Sequence, residues 1–208
     1  MAFTNDSHFD TGASELIIRL QDILPEDCLV IGEEPIRPYE CDGLTIYRET
    51  PLAVAIPENE AQVVAVLKVC HALGVPVVPR GAGTGLSGGA LPHSQGVLLS
   101  MVKMKSVVRV DPKAQLAVVQ PGVRNLAISE AAQPHGLYYA PDPSSQIACT
   151  IGGNVAENSG GVHCLKYGLT VHNVVRARVI LMDGDIVELG GEAPDSPGMD
   201  LLALFVGS

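Results

Sequence analysis

Five glycines fall within nine positions in Pro79-Arg80-Gly81-Ala82-Gly83-Thr84-Gly85-Leu86-Ser87-Gly88-Gly89. Glycine loses the most chain entropy on folding, so such density belongs where the backbone must take a positive φ or come close to something. Successive N–H groups in a turn of this kind make a nest for an anion, and a pyrophosphate suits it. A second stretch sits about 60 residues on. It comprises Pro141-Asp142-Pro143-Ser144-Ser145-Gln146, then Cys149-Thr150-Ile151-Gly152-Gly153-Asn154-Val155-Ala156-Glu157-Asn158-Ser159-Gly160-Gly161, then Lys166-Tyr167-Gly168. Hydroxyls, amides and bare backbone N–H groups are thereby gathered in one window. Phosphate chemistry at one stretch and ring hydrogen bonding at the other describe a dinucleotide ligand.

Gly83-Thr84-Gly85-Leu86-Ser87-Gly88 formally satisfies G-x-G-x-x-G, but its context is not that of a Rossmann nicotinamide site. That fingerprint opens directly into a helix and is followed about 20 residues later by an acid for the ribose. Here Pro92 and Gly96 interrupt the path, and no acid occurs between Glu60 and Asp111. A Walker loop is excluded as well, since no G-K-[ST] follows. The five cysteines, Cys28, Cys41, Cys70, Cys149 and Cys164, form no C-x-x-C pair, and the adjacent His163 and Cys164 lack the ligand count and spacing of a metal centre. No metal site is expected. His135, His163 and His172 have the right type for proton transfer, but nothing places one beside a reacting group, and each is read as structural or solvated. Arg80 and Lys166 have the charge to meet a carboxylate, and both are read first as supports or contacts of the dinucleotide.

The elements that must hold these loops are legible in outline. Ser14 to Leu24 has a capping serine, helical apolar spacing and Pro25 as a stop, and Pro35, Pro38 and Gly43 beyond it predict an extended loop. Leu52 to Ile56 predicts a strand, Asn59 caps a helix over Ala61 to Leu73 closed by Gly74, and Val75 to Val78 predicts a second strand, a βαβ unit with parallel neighbours. A strand at Val97 to Ser100 follows the first glycine loop, then a pair at Ser106 to Val110 and Leu116 to Val119 joined around Asp111-Pro112, then a helix from about Asn125 to Gln133. Tyr138 to Gly168 reads mostly as functional loop with a short helix inside. Val174 to Met182 and Ile186 to Leu189 predict a hairpin with a two-residue Asp183-Gly184 turn.

Composition bounds the remaining choices. The 208 residues are 47% hydrophobic and only 17% charged, which describes a loop-rich globular protein rather than a disordered chain. The net charge of -10 and the absence of Trp disfavour nucleic acid, which wants a basic footprint and stacking aromatics. Residues 1–60 carry 13 acids and three basic residues, so all the excess acid lies in the leading segment, read as a solvated face or a docking surface for a partner. No basic-then-apolar leader and no membrane-length apolar run is seen. A cytoplasmic protein without a membrane span is the expectation, peripheral to the inner membrane at most through partners.

The two glycine stretches, with PDPSSQIACTIGGNVAENSGGVHCLKYG in full, resemble the FAD-binding domain of the vanillyl-alcohol-oxidase (PCMH) type, and within it the FAD-linked oxidases of the glycolate-oxidase type. The resemblance covers Pro51 to Ser208 and implies an α+β fold of two subdomains with FAD between them, incomplete at its C-terminus. Residues 1–50 would be an acidic N-terminal segment, about 51–111 one subdomain and about 112–208 the second, truncated one. It implies that Arg80, Gly81, Ala82, Gly83, Thr84, Gly85 and Leu86 cradle the pyrophosphate and that Pro141, Asp142, Ser144 and Ser145 line the flavin side. Thr150, Gly152, Gly153, Asn154, Asn158, Gly160, Gly161, Tyr167 and Gly168 would complete the cofactor wall.

Covalent relatives carry His where this chain has Thr84, and Cys149 is one position off the other attachment point, so non-covalent FAD is implied. The implied reaction is oxidation of a small 2-hydroxy acid, glycolate or D-lactate, with hydride passing to flavin N5 and electrons leaving through partner subunits, an iron–sulfur protein and a second flavin-type subunit. The family continues past a Gly-Ser like Gly207-Ser208 into a cap domain and metal-binding histidines, so the catalytic base is unassigned and the chain alone is expected to be inactive. Two other readings stand beside this one, a non-catalytic FAD-binding or assembly fragment and a nicotinamide-binding dehydrogenase.

Overall fold

The structure is a computed structural model that describes residues 7–191 and 198–207. The opening six residues, read above for a leader, and Ser208 lie outside the described residues. Helix α1 (Ser7–Gln21) starts two turns before the expected cap at Ser14, which stands exposed within the helix. Leu16 and Leu20, four residues apart and fully buried, form its inner face. After a 3-10 turn (Glu26–Cys28) comes the short strand β1 (Leu29–Val30). The predicted extended loop is instead a helical turn α2 (Glu33–Ile36) followed by a 3-10 turn (Arg37–Tyr39). Pro35 and Pro38 fit because they occupy first turns, where the missing N–H has no intrahelical partner to lose.

Strand β2 (Ala53–Ala55) leads to helix α3 (Glu60–Leu73). Asn59 Oδ1 caps α3 by accepting from Gln62 N at 3.0 Å, and Gly74 closes it in the left-handed conformation. Val63, Val66, Leu67 and Cys70 repeat at helical spacing along its buried face and meet Leu16, Leu20 and Leu24 in the main core. Strand β3 (Val77–Arg80) begins two residues later than expected, and β4 (Val97–Ser100) follows the glycine loop. The sheet order is β1-β2-β4-β3, with β1 antiparallel and the other pairs parallel. β2 and β3 are therefore parallel but not neighbours, because β4 inserts between them. The 16 residues from Gly81 to Gly96 supply the return that this requires. Every residue of β2 and β4 is buried, as strands covered on both faces must be.

Strands β5 (Val107–Asp111) and β6 (Leu116–Val119) form the expected antiparallel pair. Asp111 Oδ1 orders their turn by accepting from Lys113 N and Ala114 N, both at 3.1 Å. Helix α4 (Asn125–Ala132) precedes the second glycine stretch, which holds helix α5 (Ile151–Glu157) and the one-turn helix α6 (Cys164–Tyr167). Strands β7 (Arg176–Ile180) and β8 (Ile186–Gly190) pair antiparallel. Their ladder runs on through Leu181 N to Asp185 O at 2.8 Å, leaving Met182, Asp183 and Gly184 as a three-residue loop in place of the expected two. Gly184 takes φ +84, the left-handed residue that such a loop uses. Arg178 joins this hairpin to α3 by donating to Glu60 at 2.6 and 3.0 Å. Helix α7 (Leu201–Phe205), capped by Asp200, packs Leu202 on Leu189 and Val206 in a separate small core.

Candidate functional site

The first glycine loop leaves β3 at Arg80 and runs directly against α5 of the second stretch. A Cβ on Gly81 would collide with Thr150 Oγ1, and Gly153 N lies 3.7 Å from the same point. A Cβ on Gly85 or Gly89 would stand 3.3 Å from Glu157 Oε1, and Ser87 Oγ donates to Glu157 Oε2 at 3.1 Å. The two glycine stretches are thus one surface, joined along the length of a seven-residue helix. Gly152 lets α5 close on Pro121, whose carbonyl oxygen would be 3.0 Å from an added Cβ.

Arg80 does not turn its guanidinium outward. It donates to Tyr39 O at 3.0 Å and to Cys41 O at 2.7 Å, and it lies under Gly83, whose Cβ would meet Arg80 Nε at 2.6 Å. Gly83 has φ +67, so both its conformation and its neighbour exclude a side chain. Burial pulls the Arg80 guanidinium below its ordinary value, with the Asp42 charge the strongest opposing influence. Asp42 is buried, accepts from Leu44 N at 3.0 Å through Oδ1, and has no partner for Oδ2 among the described residues. Gly43 presses on the loop itself, since its Cβ would stand 2.8 Å from both Thr84 O and Gly85 O. Residues 39–43 therefore form a strap over the first glycine loop.

The strap was not legible as part of the site. Gly43 reads as a loop glycine, and only the long-range contact of Arg80 with Tyr39 and Cys41 reveals what it covers. The available signal was the charge of Asp42 beside a glycine and a cysteine, which is weak.

A second group of residues gathers beyond α5. Asn158 ends the helix in the left-handed conformation and its Oδ1 accepts from Val171 N at 3.0 Å. Gly161 abuts Asp142 so closely that a Cβ would overlap its carbonyl and carboxylate, and Gly160 abuts Leu169. Asp142 Oδ1 accepts from His163 N at 3.2 Å, while Oδ2 lies 2.6 Å from His163 Nδ1. The His163 side chain, first through this hydrogen bond, holds the Asp142 carboxyl below its ordinary value. Gly168 takes φ +79 against His172. Tyr167 meets Tyr138 edge to face at 6.1 Å, with Lys166 Nζ 4.9 Å from the Tyr167 ring. Pro141 is fully buried and its carbonyl accepts from Asn125 Nδ2 at 3.0 Å. Ser144 is exposed, and Ser145 O holds the following turn by accepting from Ala148 N and Cys149 N, both at 2.8 Å. Ala82 and Leu86 stand exposed on the first loop.

Two buried polar atoms at the joint have no partner among the described residues, Thr150 Oγ1 and Asn154 Nδ2. A buried polar group without a partner costs about 1–3 kcal/mol. One acceptor-donor hydroxyl and one amide donor, beside a loop that rejects side chains, suit a ligand with phosphate and carbonyl oxygens.

The architecture is shared with solved structures. Alkyldihydroxyacetonephosphate synthase superposes with a TM-score of 0.82 at 22% identity, over 93% of this chain and 37% of its own. p-Cresol methylhydroxylase superposes with a TM-score of 0.77 at 21% identity, over 98% of this chain and 41% of its own. At those identities the likeness is one of fold. Residues 51–190 match the FAD binding domain family, and the chain belongs to it, with FAD as the cofactor that the family binds. Glycolate oxidase subunit GlcD of Escherichia coli K12 is 59% identical over 199 residues, 96% of this chain and 40% of that protein. A D-lactate dehydrogenase of Archaeoglobus fulgidus is 42% identical over 187 residues, 88% of this chain and 40% of that protein. The chain thus spans about 40% of the length of these relatives. Among the described residues no helix is long and apolar enough to cross a membrane.

Proposed function

We propose that this chain is the FAD-binding portion of a flavin-dependent 2-hydroxy acid dehydrogenase acting on glycolate or D-lactate. The observation that carries the reading is the joint between the two glycine stretches, where Gly81 meets Thr150 and Gly153 beside the unpartnered Thr150 Oγ1 and Asn154 Nδ2. In this reading the backbone N–H groups of Gly81 to Leu86 bind the pyrophosphate, and Thr150 and Asn154 supply side-chain hydrogen bonds. Pro141, Asp142, Ser144 and Ser145 line the flavin side, and Gly160, Gly161, Tyr167 and Gly168 close the wall. Arg80 acts through the strap that it holds. His163 Nδ1 and Asp142 Oδ2 pair 2.6 Å apart at the edge of that wall. Thr84 offers no attachment atom of the histidine kind, so the cofactor is held without a covalent bond.

When bound, FAD supplies the acceptor for the hydride that leaves the substrate α-carbon. The name of the Escherichia coli relative, a subunit, supports partner subunits; in this reading they accept the electrons, and the protein works in the cytoplasm, peripheral to the inner membrane at most through them. In this reading the unit divides near Asp111, the last residue of β5, with the four-stranded sheet wholly before that point and the β7–β8 hairpin wholly after it.

The test is a chimera in which the 199-residue matching portion of this chain replaces the corresponding segment of the Escherichia coli GlcD protein. Glycolate-dependent dye reduction by the chimera at a rate within about tenfold of the parent, roughly 1.4 kcal/mol in barrier, is expected. A folded, flavin-loaded chimera that reduces no dye with glycolate or D-lactate would overturn the substrate assignment.

A further inference from the structure

Outside the glycine-rich site, one cluster of nucleophilic and titratable groups stands apart from cofactor binding. Cys28 closes the 3-10 turn before β1, and Lys103 lies in the turn after β4, 75 positions away. Lys103 Nζ is 3.0 Å from Cys28 Sγ, 2.5 Å from Asp27 Oδ2 and 3.2 Å from Glu58 Oε1. Asp27, Cys28 and Glu58 bring one ligand-type atom each within 4.8 Å of one another, and the lysine ammonium stands among them where a metal ion would otherwise sit. Cys28 is 0% exposed and packs in the main core, whereas the Lys103 side chain keeps 30% of its surface. Small oxidants therefore approach the sulfur from the lysine side. Burial pushes the Cys28 thiol up against the pull of Lys103, so the sulfur stands as S–H.

We propose that Cys28 and Lys103 form a reversible oxygen-bridged cross-link, Sγ–O–Nζ, with dioxygen as the oxidant. The thiol, the ammonium and one dioxygen yield the bridge, one water and one proton. The S–H bond, two N–H bonds of the ammonium and the O–O bond of dioxygen break, and one S–O bond, one N–O bond and the two O–H bonds of water form. The third ammonium hydrogen stays on the bridging nitrogen. One ammonium hydrogen leaves as the proton, and the other joins the thiol hydrogen in the water. Sulfur and nitrogen each lose two electrons, and the four electrons reduce both oxygen atoms, one retained in the bridge and one released as water. Asp27 Oδ2, the nearest base to Nζ, receives the proton, with Glu58 Oε1 the second acceptor. Two equivalents of a dithiol, giving two electrons each, return thiol, amine and water. The bridge ties the turn that leads into edge strand β1 to the segment that leaves central strand β4, an oxidation-dependent staple across the first sheet.

The experiment uses the 208-residue chain, purified with reductant under exclusion of oxygen and then held in air-saturated buffer. Intact mass is expected to rise by about 14 Da, one oxygen gained and two hydrogens lost, and digestion to yield a linked pair of peptides carrying Cys28 and Lys103. Dithiothreitol should reverse the gain, and the oxidised form should melt several degrees higher because the link closes a long loop. Cys28→Ser and Lys103→Arg should show no such gain, and Lys103→Arg keeps its charge toward Asp27 and Glu58 and so preserves the fold. An unchanged mass in air, a gain of about 16 Da confined to the Cys28 peptide, or a gain of about 14 Da that persists in Lys103→Arg would each overturn the proposal.

Discussion

Arg80 Nη2 donates to the carbonyl of Cys41 at 2.7 Å, tying the end of β3 to a strap 39 positions earlier in the chain. With the second bond to Tyr39 O, the guanidinium fastens the strap over the loop it begins. Lysine offers a point charge in place of a planar fork and cannot reach both carbonyls. A hydrogen bond involving a charged group contributes about 1.5–3 kcal/mol, so Arg80→Lys should weaken FAD binding roughly ten- to a hundredfold. Fluorescence titration checks this. Unchanged affinity would separate the strap from the cofactor site.

Gly83→Val should abolish flavin retention. The residue sits at φ +67, and an added Cβ meets the Arg80 guanidinium, so the substitution disturbs the loop and the strap together. Losing two or three charge-assisted contacts costs several powers of ten in affinity. Visible flavin absorbance per mole of purified variant is the measurement, and a value equal to the parent would contradict the prediction.

Gly81→Ala should destabilise the fold by about 1–3 kcal/mol because its methyl overlaps Thr150 Oγ1. Thr150→Ala removes that oxygen and leaves Cβ at 3.5 Å, an ordinary contact. The double variant should therefore be more stable than Gly81→Ala alone, with a coupling above about 0.5 kcal/mol in a denaturant-based cycle. Strict additivity would mean that the two glycine stretches do not touch in solution.

Acid sensitivity follows from the Asp142–His163 pair. Folding lowers the Asp142 carboxyl below its ordinary 3.8, chiefly through the His163 hydrogen bond. A carboxyl depressed by folding contributes stability that is complete above its unfolded value and is lost as pH falls through the folded one. Melting temperature should thus fall less steeply in Asp142→Asn than in the parent below about pH 4. Identical slopes for the two proteins in that range would refute the pairing.

The elements built on local chemistry were legible, and those set by distant partners were not. Asn59 and Gly74 bracket α3 because a cap and a left-handed stop act within one turn, and the apolar runs of β2 and β4 announce strands buried on both faces. The insertion of β4 between β2 and β3 has no local signature, since it depends on how the Gly81 to Gly96 segment returns. Pro35 and Pro38 mislead as loop markers because proline is equally at home in a first helical turn. At the site, the glycine density of both stretches could be read directly. Their meeting through Gly81 and Thr150, and the strap from Tyr39 to Gly43, exist only in three dimensions.

Equilibrium titration of the flavin-stripped chain with FAD, with NADH as the comparison, bears most directly on the joint between Gly81 and Thr150 as a cofactor cradle. Saturable quenching of flavin fluorescence at one FAD per chain, released on denaturation and unmatched by NADH, is the expected result. A folded chain that remains colourless with millimolar FAD, or that prefers NADH, would contradict it.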